Sequence, residues 1–353
     1  MRCVSLAIAL VLGWAATFPA AGQQVRGSGS TFVYPVLAKW SEAYQRTRGI
    51  HVEYQPIGSS GGLTEIRAGV VDFGVSDAPL TPDQFLRDGL AQFPVVIGGI
   101  VPVVNLDGIT AGQLRFTGQL LADIYLGKVK NWSDPAIAVL NPAITLPERP
   151  ILVIHRTDGS GTTFNWADYL SKVSDEWKLR VGASTLVAWP TGVGGKGNSG
   201  VAENVARVKG AIGYVEYGYA QRKKLTYALV QNRAGVFVPP AMPSFQAATE
   251  DFDWAKAREF DVSLIDAPNA SAYPIMAASF VLIHKYPKDS ERTRDVLAFF
   301  QWALESGQEM ATSLDYLPLP PPLVQEVEGY WNAGSESAIK GPTTTGKGPR
   351  TPG

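Results

Sequence analysis

The sequence predicts an α/β protein, because short apolar runs alternate along the chain with segments of helical periodicity. Hydrophobic residues make up 45% of the 353 residues and charged residues 18%, which allows a buried core in one large domain or two smaller ones. Lys and Arg number 31 against 32 for Asp and Glu, so the net charge of −1 does not favour binding to nucleic acid.

The predicted strands are the apolar runs bounded by turn-forming residues. They are expected at 52–57, 70–76, 149–156 and 279–285. A longer apolar run covers 93–106, and its paired glycines and its proline predict a bend.

Helices are predicted between these strands. Thr81 followed by Pro82 and by Gln84 is the pattern of a capped helix start. The run 294–307 predicts a late helix that ends at Gly307.

The two long apolar stretches, near 93–106 and 273–285, are candidate crossovers between two lobes. Such crossovers would make the first lobe discontinuous. The predicted lobes are 23–97 plus 274–333 for the first and 98–273 for the second.

The two ends of the chain are expected to lie outside the folded lobes. Residues 1–22 have a basic residue, Arg2, then an apolar run and then small residues, which is typical of a secretory signal peptide. Cys3 is the single cysteine and lies inside this segment, so the mature chain would have no disulfide and no cysteine metal site. Residues 334–353 are rich in Gly, Pro, Ser and Thr and predict a disordered tail.

Three stretches share one design, in which a strand leads through small residues into a helix. They are GSGSTF at 27–32, IGSSGG at 57–62 and RTDGSGTTF at 156–164. Each would place backbone N–H groups and hydroxyls at a helix N-terminus, which attracts anions. A single loop of this kind is more often a plain turn with a helix cap, but three together favour an anion-binding site.

Charged residues next to these loops refine the prediction. Arg156 offers a planar guanidinium suited to an oxyanion, and Asp158 is placed to hold it by charge-assisted hydrogen bonds. Asp77 is not needed as a helix cap, because Thr81 already serves that purpose. An ionised carboxylate only accepts hydrogen bonds, so it tolerates an anion that carries a proton, as phosphate does and sulfate does not. Asp77 therefore predicts a preference for phosphate over sulfate.

The same residues give less support to a catalytic function. Asp158 stands where the nucleophile motif G-x-S-x-G around Ser160 would need a glycine. His155 is expected on the strand face opposite Arg156, and three histidines without a mature cysteine do not favour a transition-metal site. GVGGKGNSG at 192–200 lacks the Ser or Thr that a nucleotide-binding loop needs after its lysine, and it is expected to be a flexible loop before a helix.

Several long motifs occur together and in order: GSGSTF, YQPIGSSGG, VDFGVSDAPL, FPVVIGGIVPVVN, RTDGSGTTF, WPTGVGGKGN and GAIGYVEYGYA. With them the chain resembles, from about Gly27 to near 330, the periplasmic phosphate-binding proteins of bacterial phosphate ABC transporters. The resemblance implies a two-lobe periplasmic binding protein fold (type II-like), with a ligand cleft between lobes joined by hinge crossings. It also implies a monomeric exported receptor, without cofactor or enzymatic activity, that passes phosphate to the permease and ATPase subunits of a transporter. The open alternatives are a receptor of the same fold for sulfate or another tetrahedral oxoanion, and a secreted phosphatase.

The resemblance also implies a set of phosphate contacts. They are Thr31, Phe32 (through its backbone N–H), Ser59, Asp77, Arg156, Ser160, Gly161 and Thr162. Asp77 would accept the proton of phosphate, and Asp158 would brace Arg156 from behind.

Overall fold

The computed structural model describes residues 24–250, 252, 254 and 257–339. The predicted signal peptide lies outside these residues, as does most of the predicted tail. The last described helix continues to Ile339, six residues past the predicted lobe boundary at 333.

The strands are numbered in chain order. They are β1 (Gln24–Gly29), β2 (His51–Gln55), β3 (Phe73–Ser76), β4 (Leu90–Val104), β5 (Arg115–Phe116), β6 (Leu152–Arg156), β7 (Val193–Gly195), β8 (Ala211–Glu216), β9 (Thr226–Tyr227), β10 (Leu229–Gln231), β11 (Phe237–Val238) and β12 (Met276–His284).

The helices alternate with them. They are α1 (Tyr34–Arg48), α2 (Ser59–Arg67), α3 (Pro82–Asp88), α4 (Gly118–Tyr125), α5 (Pro135–Ala138), α6 (Gly161–Val173), α7 (Asp175–Arg180), α8 (Gly197–Arg207), α9 (Tyr217–Arg222), α10 (Met242–Ala247), α11 (Ser290–Ser306), α12 (Gln308–Thr312) and α13 (Pro321–Ile339). The predicted α/β class is confirmed.

One large sheet has the strand order β2-β1-β3-β12-β4-β8-β6-β7, and β9 also pairs with β4. The long strand β4 joins its two halves. The segment from Leu90 to Gly99 pairs antiparallel with β12, and the segment from Ile100 to Val104 pairs antiparallel with β8. A smaller sheet has the order β11-β10-β5.

The paired glycines of 93–106 serve packing and do not interrupt the strand, which runs unbroken from Leu90 to Val104. A Cβ on Gly98 would lie 2.8 Å from the ring of Phe32, and one on Gly99 would lie 2.6 Å from the ring of Phe245. The rings of these two phenylalanines therefore need glycine in the strand.

The helix boundaries follow local capping chemistry. The hydroxyl of Thr81 accepts from the N–H of Gln84, whose side chain accepts from the N–H of Thr81, so the predicted start of α3 is confirmed. Helix α11 ends before Gly307 as predicted, but it begins at Ser290, because the carboxylate of Asp289 accepts hydrogen bonds from the first turn. Among the described residues, no helix has the length and apolarity needed to cross a bilayer.

Candidate anion-binding site

The loops that follow β1, β2 and β3 lie at one edge of the sheet, because these three strands are parallel neighbours. The loop that follows β6 meets them there. The hydroxyl of Ser59 accepts hydrogen bonds from the N–H of Gly161 at 2.9 Å and from the N–H of Asp77 at 3.3 Å. The loops that contain Asp77 and Gly161 are therefore both bonded to the hydroxyl of a serine from a third loop.

Asp77 is a buried carboxylate held by two serines. Its Oδ2 accepts from the hydroxyl of Ser30 at 2.6 Å and its Oδ1 from that of Ser279 at 2.8 Å. Burial raises the pKa of Asp77 to about 6, although both hydrogen bonds and the charge of Arg156 oppose the rise. At neutral pH the carboxylate is ionised and acts as an acceptor.

Arg156 is the buried cation of the site, and Asp158 holds it by two parallel hydrogen bonds. Nε of Arg156 donates to Oδ1 of Asp158 at 2.8 Å, and Nη2 donates to Oδ2. Burial alone would raise the pKa of Asp158, but the hydrogen bonds and charge of Arg156 outweigh it and hold this pKa below its ordinary value. Nη1 of Arg156 donates to the hydroxyl of Thr162 at 3.3 Å, which leaves one N–H on each terminal nitrogen for another acceptor.

Thr31 and Thr162 are brought together by a residue that the sequence analysis did not identify. The side-chain amide of Asn198 donates to the hydroxyl of Thr31 at 3.0 Å and to that of Thr162 at 3.2 Å. All three side chains are buried. The glycine-rich run 192–200 is thus not the expected flexible loop, because it forms β7 and the first turn of α8.

Ser160 and Phe32 also lie at the site, and each has a structural role there. The hydroxyl of Ser160 accepts from the N–H of Thr163 and caps α6. The N–H of Phe32 donates to the hydroxyl of Ser30 at 2.9 Å, and its carbonyl accepts from the hydroxyl of Tyr316 at 2.6 Å. The structure therefore gathers all the predicted site residues, while two of the predicted backbone donors, at Phe32 and Gly161, bond to serine hydroxyls.

Close backbone approach explains two glycines of these loops. A Cβ on Gly161 would lie 2.6 Å from Cβ of Asp77 and 2.7 Å from the hydroxyl of Ser59. Gly58 has a φ of 96°, and a Cβ there would lie 2.5 Å from Oδ2 of Asp158. Glycine at both positions lets the two sides of the site come into contact.

The histidine nearest to Ser160 in sequence, His155, packs against an aromatic ring. The ring of His155 stacks on Trp189 with 4.9 Å between ring centroids, and its Nδ1 lies 3.1 Å from the carbonyl oxygen of Arg156. Within the described part of the chain, no group of three or more His, Cys, Asp or Glu side chains is placed to hold a metal ion.

Sequence reasoning missed three polar side chains of this site: Ser30, Ser279 and Asn198. Ser279 is a lone hydroxyl in an otherwise apolar strand, and that exception to the pattern was the available signal. The antiparallel register of β12 with β3 places Phe280 opposite Ser76, which brings Ser279 next to Asp77. Asn198 carried no signal, because its neighbours are glycines and serines.

Taken together, these groups can hold an oxyanion by neutral donors and one guanidinium. The hydroxyls of Thr31, Ser59 and Thr162 each accept two hydrogen bonds, and none of the three donates one within the described residues. Their O–H hydrogens and the remaining N–H groups of Arg156 are suited to an anion, and Asp77 is suited to a proton on it. A cavity of about 390 Å³ is lined by Thr31 and by Lys196.

Comparison with known proteins identifies the family of the chain. A family model described as the PBP superfamily domain matches residues 15–306. The phosphate-binding protein PstS of Xylella fastidiosa (strain 9a5c) is 50% identical over 308 residues, covering 87% of this chain and 85% of that protein. PstS of Pasteurella multocida is 49% identical over 316 residues, covering 90% and 92%.

Among solved structures, a substrate-binding protein of a putative phosphate ABC transporter from Clostridium perfringens, with bound phosphate, matches with a TM-score of 0.62. It is 20% identical, and the match covers 84% of this chain and 100% of that one. The predicted fold, a two-lobe periplasmic binding protein, is thereby confirmed. The chain belongs to the PBP superfamily and, within it, to the family of the phosphate-binding proteins named PstS.

Proposed function

We propose that this chain is an exported receptor that captures inorganic phosphate and delivers it to the permease of a phosphate ABC transporter. The names of the related proteins support phosphate as the ligand. The observation that carries the proposal is Asp77, a buried carboxylate that faces a site otherwise composed of donors. A carboxylate there repels a fully deprotonated oxyanion and accepts a hydrogen bond from a protonated one.

At residue level, phosphate would be held from several sides. The hydroxyls of Thr31, Ser59, Ser160 and Thr162, with the N–H groups of Phe32 and Gly161, would donate to its oxygens. Arg156 would add two N–H donors from a guanidinium that Asp158 keeps in place. The N–H of Phe32 would exchange its bond to the Ser30 hydroxyl for a bond to the ligand, whereas the N–H of Gly161 would contact the ligand and keep its bond to the Ser59 hydroxyl.

The two lobes would be 23–97 plus 274–333 and 98–273, with β4 among the crossings between them. Contacts between loops of these two regions support closure over the ligand. The N–H of Ser60 donates to the carbonyl of Gly159 at 3.0 Å, its hydroxyl donates to that of Thr185 at 3.0 Å, and the side-chain amide of Asn165 donates to the carbonyl of Asp77 at 2.8 Å. Phosphate contacts to both lobes would favour the closed form that the permease recognises.

Export to the periplasm is proposed from the composition of residues 1–22. In this account the mature receptor acts as a monomer and engages the permease, which works with an ATPase subunit. No bond of the ligand is made or broken. The position of Ser160 as a helix cap and of His155 against Trp189 supports binding without catalysis.

Two measurements on the purified mature chain test this proposal. Titration calorimetry should show tight one-to-one binding of phosphate and far weaker binding of sulfate; the reverse order would identify a receptor for another oxoanion. Incubation with a chromogenic phosphate ester should give no sustained turnover. Steady release of the chromophore, proportional to protein concentration, would instead indicate a phosphatase.

A further inference from the structure

Asn198 occupies the first turn of α8, and its side chain is fully buried. Its Oδ1 accepts a hydrogen bond from the backbone N–H of Glu216 at 2.9 Å. Because a backbone N–H can only donate, this bond fixes which end of the amide is oxygen and which is nitrogen. The NH₂ group must therefore face the opposite side, where Thr31 and Thr162 lie.

The two threonine hydroxyls are saturated as acceptors. The hydroxyl of Thr31 accepts from Nδ2 of Asn198 at 3.0 Å and from its backbone N–H at 3.1 Å. The hydroxyl of Thr162 accepts from the other Nδ2 hydrogen at 3.2 Å and from Nη1 of Arg156 at 3.3 Å. A hydroxyl has two lone pairs and one hydrogen, so each threonine keeps only its O–H for a further partner.

We infer that Asn198 sets the hydrogen-bonding polarity of the anion site, since it leaves Thr31 and Thr162 able to donate to an oxyanion and unable to accept from it. Asn198 is thus a specificity-determining positioning residue, and its contacts run through the two threonines. The inference rests on the proposed phosphate function and deepens it.

Ser59 shows the same principle achieved by the main chain. Its hydroxyl accepts from the backbone N–H groups of Gly161 and Asp77, so it too keeps only its hydrogen. The amide of Asn198 occupies acceptor positions of the two threonine hydroxyls, as these peptide N–H groups occupy those of Ser59. If the hydroxyls could also accept, a proton on the ligand would find several acceptors and Asp77 would no longer decide between protonated and unprotonated anions.

The sharpest test substitutes Asn198→Asp in the mature chain. The aspartate keeps an oxygen for the N–H of Glu216, which favours folding, but its side chain cannot donate to the threonines; only the backbone N–H of residue 198 still donates to Thr31. The hydroxyl hydrogens of the two threonines would turn to the new carboxylate, and the one lone pair that each hydroxyl has lost a donor to would face the ligand, while the other stays bonded to the N–H of residue 198 or to Arg156. We expect the Kd for phosphate to rise about 100-fold at pH 8, where the ligand is mainly the dianion, and about 10-fold at pH 5.5, where it carries two protons.

Asn198→Ala is the matched control, because it removes the same donors without adding acceptors or charge. We expect it to raise the Kd by about 10-fold at both pH values, since each hydroxyl keeps one of its two donors and loses only part of its preorganisation. Equal losses for the two variants at every pH would show a purely structural role for Asn198 and would overturn the inference.

A double-mutant cycle separates polarity from simple charge repulsion. Thr31→Val should raise the phosphate Kd by about 10-fold in the otherwise unchanged chain, but by about 2-fold or less beside Asn198→Asp, where the hydroxyl no longer donates to the ligand. If the fold-increase in Kd of the double variant instead equals the product of the fold-increases of the two single variants, the aspartate acts by its charge alone and the inference fails.

If the substituted chains do not fold, NMR hydrogen exchange of the Asn198 side-chain amide in the unsubstituted, phosphate-bound protein tests the same contacts. Slow exchange is expected, and exchange at the solvent rate would overturn the inference. Failure of the unsubstituted chain to bind phosphate would overturn both this inference and the proposed function, whereas unchanged binding by Asn198→Asp would overturn the role of Asn198 alone.

Discussion

The hydroxyl of Ser59 accepts a hydrogen bond from the N–H of Gly161 at 2.9 Å, although the two residues are 102 positions apart in sequence. Ser59 begins α2 and Gly161 begins α6, so the bond joins the N-termini of two helices from opposite sides of the site. Both helix dipoles are thereby directed at one small volume, which explains how a site of mostly neutral donors can attract an anion.

Gly161→Ala should abolish phosphate binding, because the added methyl would lie 2.6 Å from Cβ of Asp77 and would force the two loops apart. We expect the Kd to rise by at least about 100-fold and the free energy of unfolding to fall by about 1–3 kcal/mol. Calorimetry and urea unfolding measure the two effects.

Gly329→Ala is the control for that substitution, because a Cβ there has no neighbour within 4 Å. It should leave phosphate affinity unchanged and raise helix stability slightly, by about 0.5–1 kcal/mol. Unchanged phosphate affinity in Gly161→Ala would show that the two helix starts need not touch for binding.

Arg156→Lys should weaken phosphate binding by about 100-fold, since an ammonium group cannot keep two parallel bonds to Asp158 and still present two N–H groups to an anion. Titration calorimetry gives the change in Kd. Arg87→Lys is the control, because Arg87 is exposed and pairs with Asp88 at the surface. Equal phosphate affinities for Arg156→Lys and Arg87→Lys would show that the guanidinium of Arg156 does not contribute to phosphate binding.

The ligand-free protein should lose stability as pH rises from about 4 to about 6 through the titration of Asp77. Its pKa is raised from 3.8 to about 6, so the folded chain binds more protons than the unfolded chain in this window. Relative to the unsubstituted chain, Asp77→Asn should therefore gain about 3 kcal/mol across the window and nothing above it. Urea unfolding at pH 4, 5, 6 and 7 without phosphate measures the difference.

Glu216→Gln is a matched control for this pH dependence. Burial raises the pKa of Glu216 from 4.5 to about 8, although Arg222 and the N–H groups of Gly218 and Tyr219 oppose the rise. Its relative gain should therefore continue up to about pH 8, where that of Asp77→Asn has levelled off. A stability difference for Asp77→Asn that stays flat between pH 4 and 6 would contradict the burial effect.

Ser60→Ala should speed phosphate release, because it removes the hydroxyl bond to Thr185 between the two sides of the cleft. We expect the dissociation rate constant to rise about 2- to 10-fold while the association rate constant stays within about 2-fold. Stopped-flow tryptophan fluorescence measures both. Thr64→Ala on the same helix removes an exposed hydroxyl that bonds within α2, and it should change neither rate constant.

Much of this site can be predicted from the sequence, because the three glycine- and serine-rich loops at 27–32, 57–62 and 156–164 are local patterns. Small residues between a strand and a helix appear at Ser59 and Gly161 without any knowledge of the tertiary structure, and the capping pattern at Thr81 separates Asp77 from an ordinary helix start. These features depend on neighbours within a few residues.

The site residues that were not predicted occupy their positions because of pairing and packing between segments distant in sequence. Ser279 reaches Asp77 only because β12 lies antiparallel to β3, a pairing between segments about 200 residues apart. Asn198 is buried only because α8 packs on β8 and β6, which turns an apparently flexible glycine run into a rigid part of the site. The bend predicted from the paired glycines of β4 was wrong for the same reason. The rings of Phe32 and Phe245, which require glycine there, are distant in sequence and could not be foreseen from local pattern.

The most direct test of anion recognition by Asp77 compares phosphate and sulfate binding to the unsubstituted chain and to Asp77→Asn by titration calorimetry at pH 7. The unsubstituted chain should bind phosphate and exclude sulfate. In Asp77→Asn, sulfate affinity should rise by at least about 100-fold, because an amide can donate to the oxyanion where the carboxylate only repelled it. Sulfate exclusion that persists unchanged in Asp77→Asn would contradict the role of Asp77 as the acceptor that recognises a protonated anion.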